Sequence, residues 1–195
     1  MKKNIKKKIL NINRQANWWA DCWICFIDGE DFFSNKRQVR GRKLCMNNAV
    51  KDIVINQGKI ITNIKGTAPN SYCVEIDIPP FIKWDIVKMC QSSGIDYSSL
   101  IAGNIPKRMK NSIKNIDYGI FSIRYKLKLS CTCPDHMKGG YICKHIYASF
   151  YKAGQKIQKE PELFFIIFQI KIERLQQILI NSRPLLIKKK TKCNL

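Results

Sequence analysis

Acidic side chains are scarce in this sequence: 14 Asp and Glu stand against 35 Lys and Arg. The few carboxylates are dispersed, which argues against hydrolase chemistry built on grouped acids. A Gly-rich phosphate loop, a Ser-His-Asp set and an open metal site are all missing, so the chain is read as a binding protein and not an enzyme. Long apolar runs are also lacking. The richest, L-F-F-I-I-F at 163–168, is about a third of the roughly 20 residues that a membrane span needs. The basic start M-K-K-N-I-K-K-K-I-L lacks the apolar stretch and small-residue cleavage site of a secretory signal, so a cytoplasmic protein is expected. No internal repeat or low-complexity linker interrupts the chain. Its length suits one domain, or one domain with a small appended module.

What is present is basic and moderately apolar. Hydrophobic residues make up 45% of the chain, enough for an ordinary core. The net charge of +21 is spread unevenly. Residues 1–14 hold six basic side chains and no acid, and residues 183–195 hold five basic side chains and no acid. The remainder still has 24 basic against 14 acidic residues. Such a balance is the electrostatic footprint of a polyanion binder. The alternative is compositional, since the sequence is crowded with Ile, Lys and Asn. Nine cysteines are an odd number for a disulfide framework, and without an export signal they are expected to stay reduced. Reduced thiols at close spacing point to metal. The scattered ones (Cys22, Cys25, Cys45, Cys73, Cys90 and Cys193) read as buried apolar thiols by default.

The pattern along the chain predicts an α+β fold. A basic flexible arm is expected over 1–16. Asn17 is a good N-cap for a helix whose apolar residues Trp19, Trp23 and Phe26/Ile27 fall at helical spacing. The polar stretch R-Q-V-R-G-R-K (37–43) reads as a loop. Three β-branched or alternating segments, 49–55, 59–65 and 72–78, are separated by N-Q-G and G-T-A-P-N-S turns, which predicts an antiparallel meander. Helical spacing returns over 81–91, with weaker helices at 96–102 and 106–115. Alternation of Phe121, Ile123, Tyr125, Leu127 and Leu129 predicts a half-buried strand over 120–130. Helices are expected at 144–157 and from Pro161 to near Ile180.

The chemistry is concentrated in S-C-T-C-P-D-H-M-K-G-G-Y-I-C-K-H-I-Y-A-S-F-Y, residues 130–151. Cys131 and Cys133 are two apart at a strand end, so both side chains leave one face. Cys143 and His145 are two apart where a helix begins, and the irregular backbone ahead of the first turn lets them converge. Nine residues, including Gly139 and Gly140, give slack to fold one pair over the other. Three thiolates and an imidazole close a tetrahedral site for one structural zinc ion, with no position left for a reactive water. The opposing reading is a buried thiol cluster beside an unrelated histidine. His136 could replace His145 as ligand.

The C-x-C, nine-residue, C-x-H spacing resembles the SWIM zinc finger, as do the Pro-Asp after Cys133 and the Cys-Lys-His-Ile at 143–146. In that family an aromatic residue tends to stand where His136 lies, which favours His145 as the ligand. N-W-W near the start, R-G-R at 40–42, the segments 50–66 and 72–78, and Trp84 look like the prokaryotic SWIM-containing proteins, so the resemblance spans roughly residues 17–170. It implies zinc binding and association with DNA or with Swi/Snf-type helicases. On that basis the chain divides into the arm (1–16), an α+β body (17–125), the SWIM finger (126–152), C-terminal helices (153–182) and a basic tail (183–195).

Other candidates have competing readings. The C-W-I-C at 22–25 has a metal-like spacing, but it lies in an apolar helix without a second pair, which favours core thiols over a redox or second metal site. Trp18 and Trp19 read as core, with base stacking as the alternative. Arg40 and Arg42 flank Gly41; two guanidiniums and a permissive glycine suit phosphate, whereas a structural turn would leave them solvated or internally paired. Lys6, Lys7, Lys8, Lys188, Lys189 and Lys190 are further candidates for nucleic-acid contact. The expected function is a zinc-binding accessory factor on nucleic acid, DNA in the favoured reading, alone or with a Swi/Snf-type helicase. A protein-interaction adaptor is the alternative. No membrane or small-molecule substrate is expected.

Overall fold

A computed structural model describes residues 17–28, 35–66, 71–80, 93–115, 120–139 and 142–190. The predicted arm, the helix expected at 81–91 and residues 191–195 lie outside them. The fold is α+β, as expected. Its elements are α1 (Trp18–Ile27), α2 (Asn35–Met46), β1 (Val50–Asn56), β2 (Lys59–Lys65), β3 (Ser71–Asp77), α3 (Tyr97–Ile101) and α4 (Lys107–Lys114). A 3-10 helix (Ile120–Lys126) precedes β4 (Lys128–Cys131), α5 (Pro134–Met137), α6 (Lys144–Lys159), α7 (Glu162–Ile167) and α8 (Ile172–Lys190).

The sheet is antiparallel in the order β1-β2-β3-β4. The predicted meander is its first three strands, with Ile60 facing Ile76 and Thr62 facing Val74 across β2 and β3. β4 extends it to four, pairing Cys131 with Val74 and Leu129 with Ile76. One face is apolar: Ile60, Ile64, Val74 and Ile76 are buried. The other holds Asn63, Glu75, Asp77 and Lys59, the alternation of a half-solvated sheet.

Helix α6 packs against all four strands on one side and against α1, α2 and α7 on the others. Residues 145–151 are consecutively buried, the mark of a helix covered all round. Thr62 and Ser149 share a hydroxyl hydrogen bond of 2.5 Å across the sheet–helix interface. On the far side, Trp19, Trp23 and Phe26 of α1 interlock with Phe150, Phe164, Phe165 and Phe168 at centroid distances of 4.6 to 6.1 Å. Both buried indoles keep their N–H partnered, Trp19 to Leu100 O (2.7 Å) and Trp23 to Phe150 O (2.8 Å). Asn17 caps α1 as expected, its side-chain oxygen accepting from Trp19 N. Trp18 is half-buried, with Lys110 and Lys114 each 5.6 Å above its ring.

Three expectations fail. Residues 37–43 are not a loop: they lie within α2, because buried Gln38, Gly41 and Cys45 and half-buried Arg42 recur at helical spacing on the side facing α6. A Cβ at Gly41 would come within 2.3 Å of Tyr147 Cβ and 2.8 Å of Lys144 O, so only glycine permits this approach. The strand expected over 120–130 is shortened to Lys128–Cys131. Ahead of it, the 3-10 helix buries Ile123 and Arg124 side by side and leaves Tyr125 exposed. Arg124 is held there by a 2.9 Å bond to Cys25 O and by the face of Phe26 at 5.4 Å. The last predicted helix is broken in two, α7 and α8, by Gln169 at φ 59°, and α8 runs on past Ile180 to Lys190. Among the described residues no helix is long and apolar enough to cross a membrane.

Candidate metal centre

Two elements bring the four candidate ligands together. Cys131 ends β4, where pairing with Val74 fixes its backbone, and the Thr132 N–H continues the ladder to Cys73 O at 3.0 Å. Cys133 follows at the N-cap of α5, whose first turn is opened by Pro134. Cys143 is the N-cap of α6, in extended conformation, and His145 is the second residue of that helix. The predicted geometry, one pair at a strand end and one at a helix start, is therefore realised.

Cys131, Cys133, Cys143 and His145 each offer one ligand atom, and these four atoms lie within 4.8 Å of one another. The imidazole turns Nδ1 inward, 3.8 Å from Cys131 Sγ and 3.9 Å from Cys143 Sγ. A zinc tetrahedron with ordinary bond lengths has edges of roughly 3.4–3.8 Å, so the donors need close by no more than about 1 Å. All four residues are at most 3% exposed. Three soft sulfurs and one imidazole, buried and mutually adjacent, fit one structural zinc ion. Four protein donors leave it no position for a reacting water.

The electrostatics of the sulfurs agree with a cation site. A hydrogen bond from Cys131 holds the Cys143 thiol down to about 3, against burial and with help from His145 and the amide of Ile146. The same bond to Cys143, with burial, pushes Cys131 up, and burial pushes Cys133 up. Thiols so close compete for a single negative charge, and a divalent ion lets all three ionise. The Tyr72 ring covers the imidazole at 4.5 Å. His145 Nε2 is buried without a hydrogen-bond partner among the described residues.

His136 lies on α5, outside the group of four, with its Nδ1 buried and unpartnered among the described residues. Cys22 and Cys45 are buried, the latter's thiol pushed up to about 11 by burial, as expected of core sulfur. Cys25 is half-buried, 3.8 Å from Lys114 Nζ.

The two arginines of R-G-R part company. Arg42 turns inward: its guanidinium donates to Asp28 Oδ1 at 3.1 Å and stands 5.5 Å over the Tyr151 ring. The same Asp28 oxygen accepts from Gln38 (2.8 Å) and from the Tyr151 hydroxyl (2.7 Å), whose proton burial and the carboxylate hold in place. This network ties α1, α2 and α6 together, a structural use of an arginine that sequence reasoning had equally offered to phosphate. Arg40 is exposed. Lys188, Lys189 and Lys190 end α8, and Lys6, Lys7 and Lys8 lie outside the described residues.

With this geometry in hand, the comparison with known families falls on the same segment: residues 124–154 match the family model of the SWIM zinc finger, a span that holds all four ligands. The chain is also 26% identical over 148 residues to a Mycobacterium tuberculosis (strain H37Rv) protein named "Uncharacterized protein Rv2102". That alignment covers 74% of this chain, which spans about half (52%) of the relative's length. No solved structure matches the chain.

Proposed function

We propose that this protein is a zinc-stabilised nucleic-acid-binding factor, preferring DNA and acting alone or beside a Swi/Snf-type helicase, and that it is not an enzyme. The observation that carries this reading is a closed, four-donor metal site in a chain of net charge +21. A saturated zinc shell holds backbone in place and offers no Lewis-acid position, which favours binding over catalysis. The charge excess supplies the affinity: each phosphate neutralised by Lys or Arg releases counterions. The acid-poor ends and the exposed Arg40 are contacts of this kind. The compartment that suits its reduced thiols is the cytoplasm.

The adaptor reading keeps one specific support, since Met137 on α5 of the finger is 76% exposed. Titration of the zinc-loaded protein against duplex DNA at several salt concentrations separates the two. Nucleic-acid binding gives a log–log salt slope of about −0.9 per phosphate contact, and six contacts give roughly a thousandfold loss between about 50 and 200 mM. No binding at about 50 mM salt, with zinc content intact, moves the protein to the adaptor class.

A further inference from the structure

We infer that the solvent face of α2, carrying Lys36, Arg37, Arg40 and Lys43, is the folded surface that seats a nucleic-acid phosphate backbone. The inference rests on the nucleic-acid reading above and gives it a place in the fold.

Three observations carry it. First, α2 sorts its charges by face. Inward, Arg42 is paired with Asp28. Outward, Lys36, Arg37, Arg40 and Lys43 are exposed, α2 contains no acid, and none of the four has a carboxylate partner among the described residues. At 1.5 Å per residue they span roughly 10 Å, the axial length of about three phosphates along one strand.

Second, two other basic or open surfaces are differently occupied. On α4, Lys114 faces Asp21 at 3.9 Å, and both Lys110 and Lys114 cover Trp18. The open face of the sheet is acidic in part, with Lys59 held between Glu75 and Asp77 at 3.3 Å each. Lys59 and Lys114 are thus balanced by neighbouring carboxylates, whereas the α2 cations have no such partner among the described residues.

Third, the α2 face is fastened to the finger. Arg37 donates to Ile142 O at 3.1 Å, beside Cys143, and Gly41 lies against Lys144 O. The ion that fixes the start of α6 therefore also fixes the orientation of these cations, and exposed Lys138 extends the positive field into the finger.

The test compares two triple variants of the zinc-loaded full chain. One is Lys36→Gln, Arg40→Gln and Lys43→Gln; the other, Lys107→Gln, Arg108→Gln and Lys159→Gln, removes the same charge from exposed positions elsewhere. Glutamine preserves helix propensity, and zinc content and melting temperature check that each variant folds. On duplex DNA the α2 triple reduces the salt slope by about 2.7, three contacts' worth, while the control triple leaves it nearly unchanged. Arg40→Lys keeps the slope, because a point charge suffices for phosphate. Single-stranded DNA and duplex RNA give the same ranking. Equal losses in the two triples, or no loss in the α2 triple, overturn the inference while leaving nucleic-acid binding standing. Wild-type protein that fails to bind any of the three polymers overturns both. Polyglutamate that competes as strongly as DNA for the α2 face assigns the surface to acidic peptide and overturns it as well.

Discussion

The two ends of α6 are held by different physics. At its start, four heteroatoms from β4, α5 and the helix itself converge on one point. Further along, Phe150 packs on Trp23 of α1 and Ile157 is buried in the same apolar core. Dispersion and hydrophobic burial are sums of many small contacts, so the aromatic end loses stability in increments. Metal coordination is a single cooperative contact set, so the finger end keeps or loses nearly all of it at once. A small finger with little core of its own needs the second kind of support. The body does not.

The largest break in this comparison is metal removal. Cys133→Ala, or a strong chelator, is expected to withdraw on the order of 10 kcal/mol from the finger. Residues 128–145 should lose amide protection from hydrogen exchange, while indole emission from buried Trp19 and Trp23 stays that of a packed core. Emission shifting to that of exposed indole at the same chelator concentration would show that the two ends are one cooperative unit.

Trp23→Ala strikes the other end. It removes a fully buried side chain and its bond to Phe150 O, and should cost about 3–5 kcal/mol in denaturant titrations. Zinc stoichiometry, measured by metal analysis, stays at one. Gly41→Ala tests the region between the ends. The added methyl meets the Lys144 carbonyl and the Tyr147 Cβ, neither of which can rotate away, so a loss of about 1–3 kcal/mol is expected. Because Lys144 separates two ligands, the same variant should also bind zinc more weakly in a competition assay.

The smallest effect sharpens the comparison most. His136→Ala is expected to change stability by less than about 0.5 kcal/mol and to leave zinc content whole. His145→Ala removes a donor and should lower both zinc content and melting temperature. The reverse pattern would exchange the two histidines' roles.

How far these regions could be read in advance follows from what fills their buried positions. The metal ligands were legible because few residue types bind zinc, and their spacing is set by a strand end and a helix start. The first helix and the meander were legible because Trp, Phe, Ile and Val mark their inward positions. Helix α2 was hidden for the opposite reason. Its inward positions 38, 41, 42 and 45 have the helical period but are filled by Gln, Gly, Arg and Cys, of which hydropathy scores only Cys45 as apolar. What makes them buriable is Asp28 and Tyr151, from two other elements. The alternation at 121–129 misled because Arg124 found a carbonyl partner far along the chain, which tertiary structure supplies and local pattern does not. The addition of β4 to the meander depends on the same kind of distant pairing.

That pairing bears on how the chain is made. β3 and β4 are neighbours in space, but the 3-10 helix, α3 and α4 are synthesised between them. Until Lys128–Cys131 leave the ribosome, the meander carries an open edge on β3, with the backbone at Val74 and Ile76 available to any extended segment nearby. The finger's first cysteine is thus also the last residue of the strand that covers β3, so the nascent β-edge is paired first and capture of the metal follows once Cys143 and His145 have been added.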